Sequence, residues 1–168
     1  KATTTGYYIR KFVDENLNLA QNASSMHTWT LFRYAELLLN YAEAMNEAYG
    51  PETKAGFSMT AKAAVDLVRT RPGVAMPILP PGLSKDEMRE RIRNERRVEL
   101  AFEEHRFFDV RRWKIAEQTE NMPIMAMRIT RNPDNSFNYT VVKAEDRVFR
   151  PEMYLFPIPE SEIMKSGG

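Results

Sequence analysis

Cysteine is absent from the 168 residues, histidine occurs only at His27 and His105, and no run of about 18 apolar residues can be found. The first absence removes disulfide frameworks, thiolate nucleophiles and Cys-ligated zinc, without naming a redox compartment. With two histidines a His-rich metal site cannot be built. No His-Glu-x-x-His spacing or Gly-rich phosphate loop occurs either. No segment is apolar enough for long enough to span a bilayer as a helix, and Lys1 to Gly6 lack the apolar core of an export signal. A net charge of +1 with 28% charged residues gives no one-signed field to recruit nucleic acid or an anionic membrane. The basic run Arg106, Arg111, Arg112 and Lys114 is cancelled by Glu103, Glu104 and Asp109 interleaved with it. The chain starts without Met, which is expected of a fragment or a processed chain. Its length suits a single domain over residues 1–168 with a real core.

What is present is mostly helical. The run from Tyr7 to Val13 reads as a short strand in which Tyr7 and Tyr8 point to opposite faces, followed by a polar loop. From Thr30 to Tyr49, Arg33, Glu36, Asn40, Glu43 and Glu47 form one narrow polar stripe. Leu31, Tyr34, Ala35, Leu37, Leu38, Tyr41, Ala42, Met45 and Ala48 cover the rest, which predicts a helix packed on several sides. Gly50-Pro51 ends it. Ser58 can cap a second helix that stops at Arg71-Pro72-Gly73. The small residues Ala42, Ala61 and Ala64 allow close approach, so the pair is expected to form a tetratricopeptide-like helical hairpin. After a Pro-rich connection, Ser84 and Glu87 form a capping box that opens a long helix. A shorter helix is expected over residues 107–117. Alternation at Met125, Met127 and Ile129 and again at Phe137, Tyr139 and Val141, around Asn132-Pro133-Asp134-Asn135, predicts a β-hairpin. An irregular stretch through Pro159 follows. The expected class is all-α, with a small C-terminal β-hairpin and irregular segment.

The long helix carries the least ordinary feature. On a helical wheel Met88, Ile92, Val98 and Phe102 define an apolar face, and Glu95 and Glu99 fall near its middle. Ionised carboxylates cannot be left bare in a core, so guanidinium partners are expected. Arg96, Arg97, Arg106, Arg111, Arg112 and the more distant Arg33 are available. A carboxylate pair can also serve as an acid/base pair or half a metal site, as could His105 with Asp109 at i,i+4 spacing. A structural network of Glu95, Glu99, Arg96, Arg97 and Arg33 is the preferred reading, because ion-pair networks perturb carboxylates without any chemistry.

Three strings, Arg33 to Ala44, Glu95 to Trp113 and Tyr154-Leu155-Phe156-Pro157-Ile158-Pro159, occur in the order and at the spacing of the SusD/RagB family. The chain resembles the C-terminal part of such a protein. The resemblance implies a noncatalytic outer-membrane lipoprotein of Bacteroidetes, facing the cell exterior, that captures glycans or other nutrients with a SusC-type TonB-dependent transporter. It implies neither cofactor nor metal. Members attach through a lipidated N-terminal Cys, which this chain lacks, and usually continue past the Phe-Pro-Ile-Pro string. Both departures fit a fragment lacking the N-terminal part and the anchor.

In a glycan-binding module, rings stack on apolar sugar faces beside polar groups. Tyr7, Tyr8, Trp29 and His27 precede the first helix, where family members often form their ligand surface, and are the candidates. Trp29 also reads as a core or staple residue at the helix start. With part of the platform missing, binding by these residues alone is expected to be weak or absent. The alternative is a helical protein–protein interaction scaffold without a small-molecule ligand. An enzyme is disfavoured, since no set of converging groups is visible.

Overall fold

The computed structural model describes residue 3, residues 5–26 and residues 29–166. The chain forms two compact units, His27–Arg106 on the one hand and Lys1–Met26 with Phe107–Gly168 on the other.

In the first unit three helices share one core: α1 (Tyr34–Tyr49), α2 (Ala61–Thr70) and α3 (Lys85–Glu99). Gly50 adopts φ +84° and returns its N–H to the Asn46 carbonyl, closing α1 as the Gly-Pro pair requires. The cap of α2 is Thr60 rather than Ser58; its hydroxyl accepts from the Ala63 N–H at 3.0 Å. Ser84 caps α3 with the full box, since Glu87 N–H donates to its hydroxyl and the Glu87 carboxylate accepts from the Ser84 N–H at 2.8 Å. α1 and α2 pack together as the helical hairpin, with Ala42, Ala61 and Ala64 fully buried. The Tyr41 hydroxyl donates to the Met59 carbonyl at 2.7 Å across that hairpin. Asn46, buried in α1, donates to the Lys85 carbonyl at 2.9 Å and so ties α1 to the start of α3.

Several expectations fail for a common reason. α1 begins at Tyr34, so Trp29, Leu31 and Phe32 lie on an irregular lead-in and are exposed instead of joining the core. Tyr34 and Leu37 are exposed as well, so among the described residues α1 is covered on one side and not all round. α3 stops at Glu99, and Phe102 takes φ +62° beyond its end, so the helical wheel no longer applies to it. Val98 is exposed, about 120° away from the face that Met88, Ile92 and Arg96 bury, while Leu100 supplies the apolar contact at the helix end.

In the second unit α4 (His105–Arg112) starts at the boundary and α5 (Ala116–Thr119) follows. They replace the single helix expected over residues 107–117, because Lys114 at φ +55° breaks the ladder between them. β1 (Ile124–Arg131) and β2 (Phe137–Glu145) pair antiparallel, with Ile129 opposite Tyr139 and Arg128 opposite Thr140. Val110, Ala116 and Phe149 form a small core there, and Tyr154 packs edge-on to Phe149 at 4.9 Å. The Arg111 guanidinium lies 3.6 Å from the Phe107 ring centre and donates to the Met153 carbonyl, anchoring the Pro151–Tyr154 turn to α4. A short helix α6 (Glu160–Ser166) occupies a stretch whose sequence carries no apolar period. The run 7–13 is not a strand.

Candidate functional site

Thr5 and Gly6 are seated on the outer edge of β1. The Thr3 hydroxyl accepts from the Thr5 N–H at 3.2 Å and donates to the Tyr7 carbonyl at 3.1 Å, curling the chain into a tight turn. The Thr5 carbonyl then accepts from the Met127 N–H at 2.8 Å. Gly6 makes this approach possible. It holds φ +77°, and a Cβ at its position would stand 2.3 Å from the Met127 carbonyl oxygen.

Where this turn crosses the hairpin it leaves a cleft of about 420 Å³, lined by Thr3, Gly6, Ala126, Arg128, Val142 and Lys143 among others. That volume is within the range that holds a small ligand. Tyr7 and Tyr8 follow the lining residue Gly6 directly and are 58% and 74% exposed. Both rings are open to solvent because the segment is irregular; the strand that would have turned one inward is not formed. Trp29 is 55% exposed, belongs to the other compact unit and does not line the cleft. His27 lies outside the described residues. Sequence reasoning missed Thr3, Gly6, Arg128 and Lys143, whose only signal was the Thr-rich start and a Gly preceding two tyrosines.

The carboxylates of α3 are arranged differently. Glu95 accepts from the Arg69 guanidinium at 2.7 Å. Glu99, whose side chain is 9% exposed, accepts from Arg33 and, at 2.8 Å, from Arg71. Arg33 also donates to Glu103 at 2.8 Å and to the Glu99 carbonyl, so it clamps the C-terminal end of α3 from the N-terminal cap of α1. Burial works against the charge of Arg33, but its bonds to Glu103 and Glu99 outweigh burial and push its pKa up.

Arg97 does not join this cluster: it is exposed and donates to Asn94 one turn back. Arg96 is buried and donates to the Asn40 side-chain oxygen. The partners from α2, Arg69 and Arg71, were the ones sequence reasoning missed. They stand where the second helix ends before Pro72, and only packing brings that end against α3.

His105 and Asp109 make no dyad. The imidazole stands 3.5 Å from Glu36, whereas Asp109 accepts from Arg112 at 2.9 Å. Glu95 and Glu99 are engaged by guanidinium groups and lie outside the cleft, an arrangement suited to holding three helices in register. Among the described residues no group of three or more His, Asp or Glu side chains is placed to hold a metal ion, and no helix is long and apolar enough to cross a membrane.

The chain is similar to known proteins along its whole length. A solved SusD-like protein from Bacteroides fragilis is 35% identical, with a TM-score of 0.79 over 98% of this chain and 30% of its own. A second, a SusD-like carbohydrate-binding protein from the same species, is 30% identical with a TM-score of 0.74 over 97% of this chain and 33% of its own. The curated SusD-like protein P2 of Formosa agariphila is 40% identical over 91 residues, which are 51% of this chain and 17% of that protein. The chain thus spans about a third or less of the relatives it matches. The model of the SusD family matches residues 1–168, and with a mostly helical fold shared with those structures the chain belongs to that family.

Proposed function

We propose that these residues are the C-terminal-type domain of a noncatalytic glycan-capture protein on the outer face of the outer membrane, working with a SusC-like TonB-dependent transporter and tethered by a lipid anchor outside this stretch. The observation that carries the reading is the family match over residues 1–168, in a family where one solved relative is described as carbohydrate-binding. The cleft beside Tyr7 and Tyr8 supports it, since exposed rings next to a polar-lined cavity suit the apolar faces and hydroxyls of sugars. Trp29 is a further exposed ring that a sugar could stack on.

Isothermal titration with neutral and charged oligosaccharides tests the proposal. Binding near the millimolar range, about 4 kcal/mol, is expected. Replacing Tyr7 and Tyr8 together by Ala should remove it, and Trp29→Ala shows whether that ring contributes. Tight binding untouched by all three substitutions would put the sugar elsewhere. A second reading, a helical scaffold for a protein partner, is favoured by the uncovered Tyr34 and Leu37 on α1. It would prevail if no saccharide bound while the chain bound the transporter stoichiometrically through α1.

A further inference from the structure

Among the described residues the charged ones lining the cleft are Arg128 and Lys143, and no carboxylate lines it. Arg128 makes no side-chain hydrogen bond or ion pair among the described residues, in contrast to Arg33, Arg69, Arg71 and Arg147, each of which is bonded to a carboxylate. Arg128 is exposed, and on its own strand and face it is flanked by the short residues Ala126 and Thr130. Lys143 stands opposite Met125 in the hairpin register, on the other face of the sheet from Arg128, and bonds to Asp146 at 2.8 Å. Glu145 follows the lining residue Ala144 and does not itself line the cleft. The remaining described lining residues bear a hydroxyl or apolar groups, with Thr3 already committed to its turn.

We infer that this cleft selects an anionic saccharide, one bearing a uronate carboxylate or a sulfate ester, with Arg128 as the reader of the negative group. The inference rests on the glycan reading above and deepens it. A guanidinium presents two parallel N–H donors that match a carboxylate or sulfate edge, which is a geometric preference as well as a Coulombic one. The rings of Tyr7 and Tyr8 would then supply the part of the affinity that is indifferent to charge.

The test titrates the full chain with three oligosaccharides of equal length: neutral, uronate-containing and sulfated. At low salt at least one anionic arm should bind about tenfold more tightly than the neutral one, as expected for one charge-assisted contact. The difference between the two anionic arms identifies the group. Arg128→Gln should abolish the preference, so that the anionic arms bind no more tightly than the neutral one. Lys143→Gln, on the other face of the hairpin, and Arg91→Gln, on an exposed position of α3 in the other unit, should both leave it intact. Circular dichroism confirms that each variant is folded. Equal affinity in all arms, or an equal loss from Arg91→Gln and Arg128→Gln, overturns the anionic preference while sparing glycan binding. Absence of binding in every arm at millimolar saccharide overturns the placing of a sugar in this cleft, and the anionic preference with it.

Discussion

Replacing Glu99 by Leu tests whether the ion-pair cluster holds the three helices together. The substitution removes a carboxylate that is 9% exposed and accepts from two arginines reaching it from different elements, Arg33 at the start of α1 and Arg71 at the end of α2. Breaking a fully buried pair costs about 3–5 kcal/mol, mostly because a charge is left behind without a partner. Here the arginines are not sealed in: their side chains are 27% and 37% exposed, and Arg33 keeps Glu103. Water can meet part of the stranded charge, which brings the expected loss to about 2–3 kcal/mol. For a protein of this size that is a fall in melting temperature of about 4–12 °C. Urea unfolding should be followed by Trp29 fluorescence in a Trp113→Phe background, so that the signal comes from the unit containing Glu99. Glu99→Gln should lose less, since an amide oxygen still accepts one bond. Adding Arg71→Leu to Glu99→Leu should cost less than the sum of the single changes. A loss within about 0.5 kcal/mol for Glu99→Leu, the range of an ordinary surface substitution, would refute the assignment of a structural role to this cluster.

Other expectations follow from the same geometry. Ala64→Leu pushes extra methylenes into a fully buried contact between α1 and α2 and should cost about 1–3 kcal/mol, read as a lower urea midpoint with unchanged slope. Gly6→Ala should release the N-terminal segment from β1, because its Cβ would stand 2.3 Å from the Met127 oxygen at φ +77°; the Met127 amide should exchange at least about tenfold faster, whereas Gly82→Ala, with open space around it, should leave that amide unchanged. Glu87 is held below its usual pKa by the Ser84 hydroxyl and amide. A carboxyl lowered in the folded state stabilises above its unfolded pKa and ceases to do so as pH falls through the folded value. The stability gap between the native chain and Glu87→Gln should therefore be full at neutral pH and close on acidification below the ordinary glutamate range; a gap independent of pH would contradict the capping box.

Local chemistry decided a good part of this protein. Gly50-Pro51, the Ser84–Glu87 box and the alternation around Asn132 to Asn135 each act within a few residues of chain, so the end of α1, the start of α3 and the hairpin were legible without any tertiary information. The long strings from Arg33, Glu95 and Tyr154 marked the family for the same reason, being contiguous. That Glu95 and Glu99, half-buried themselves, lie on the side of α3 that buries Met88 and Ile92 followed from helical periodicity alone. Which arginines meet them did not, because proximity in sequence favoured Arg97, while the packing of the end of α2 against α3 delivered Arg69 and Arg71. Wheel arguments failed where the helix itself ended, at Phe102, and where α1 began late, at Trp29. The cleft lay beyond sequence reasoning altogether. It exists because a turn at Thr3 to Gly6 crosses a hairpin more than a hundred residues later in the chain, and only the close approach of two backbones, permitted by one glycine, brings Arg128 and Lys143 to its wall.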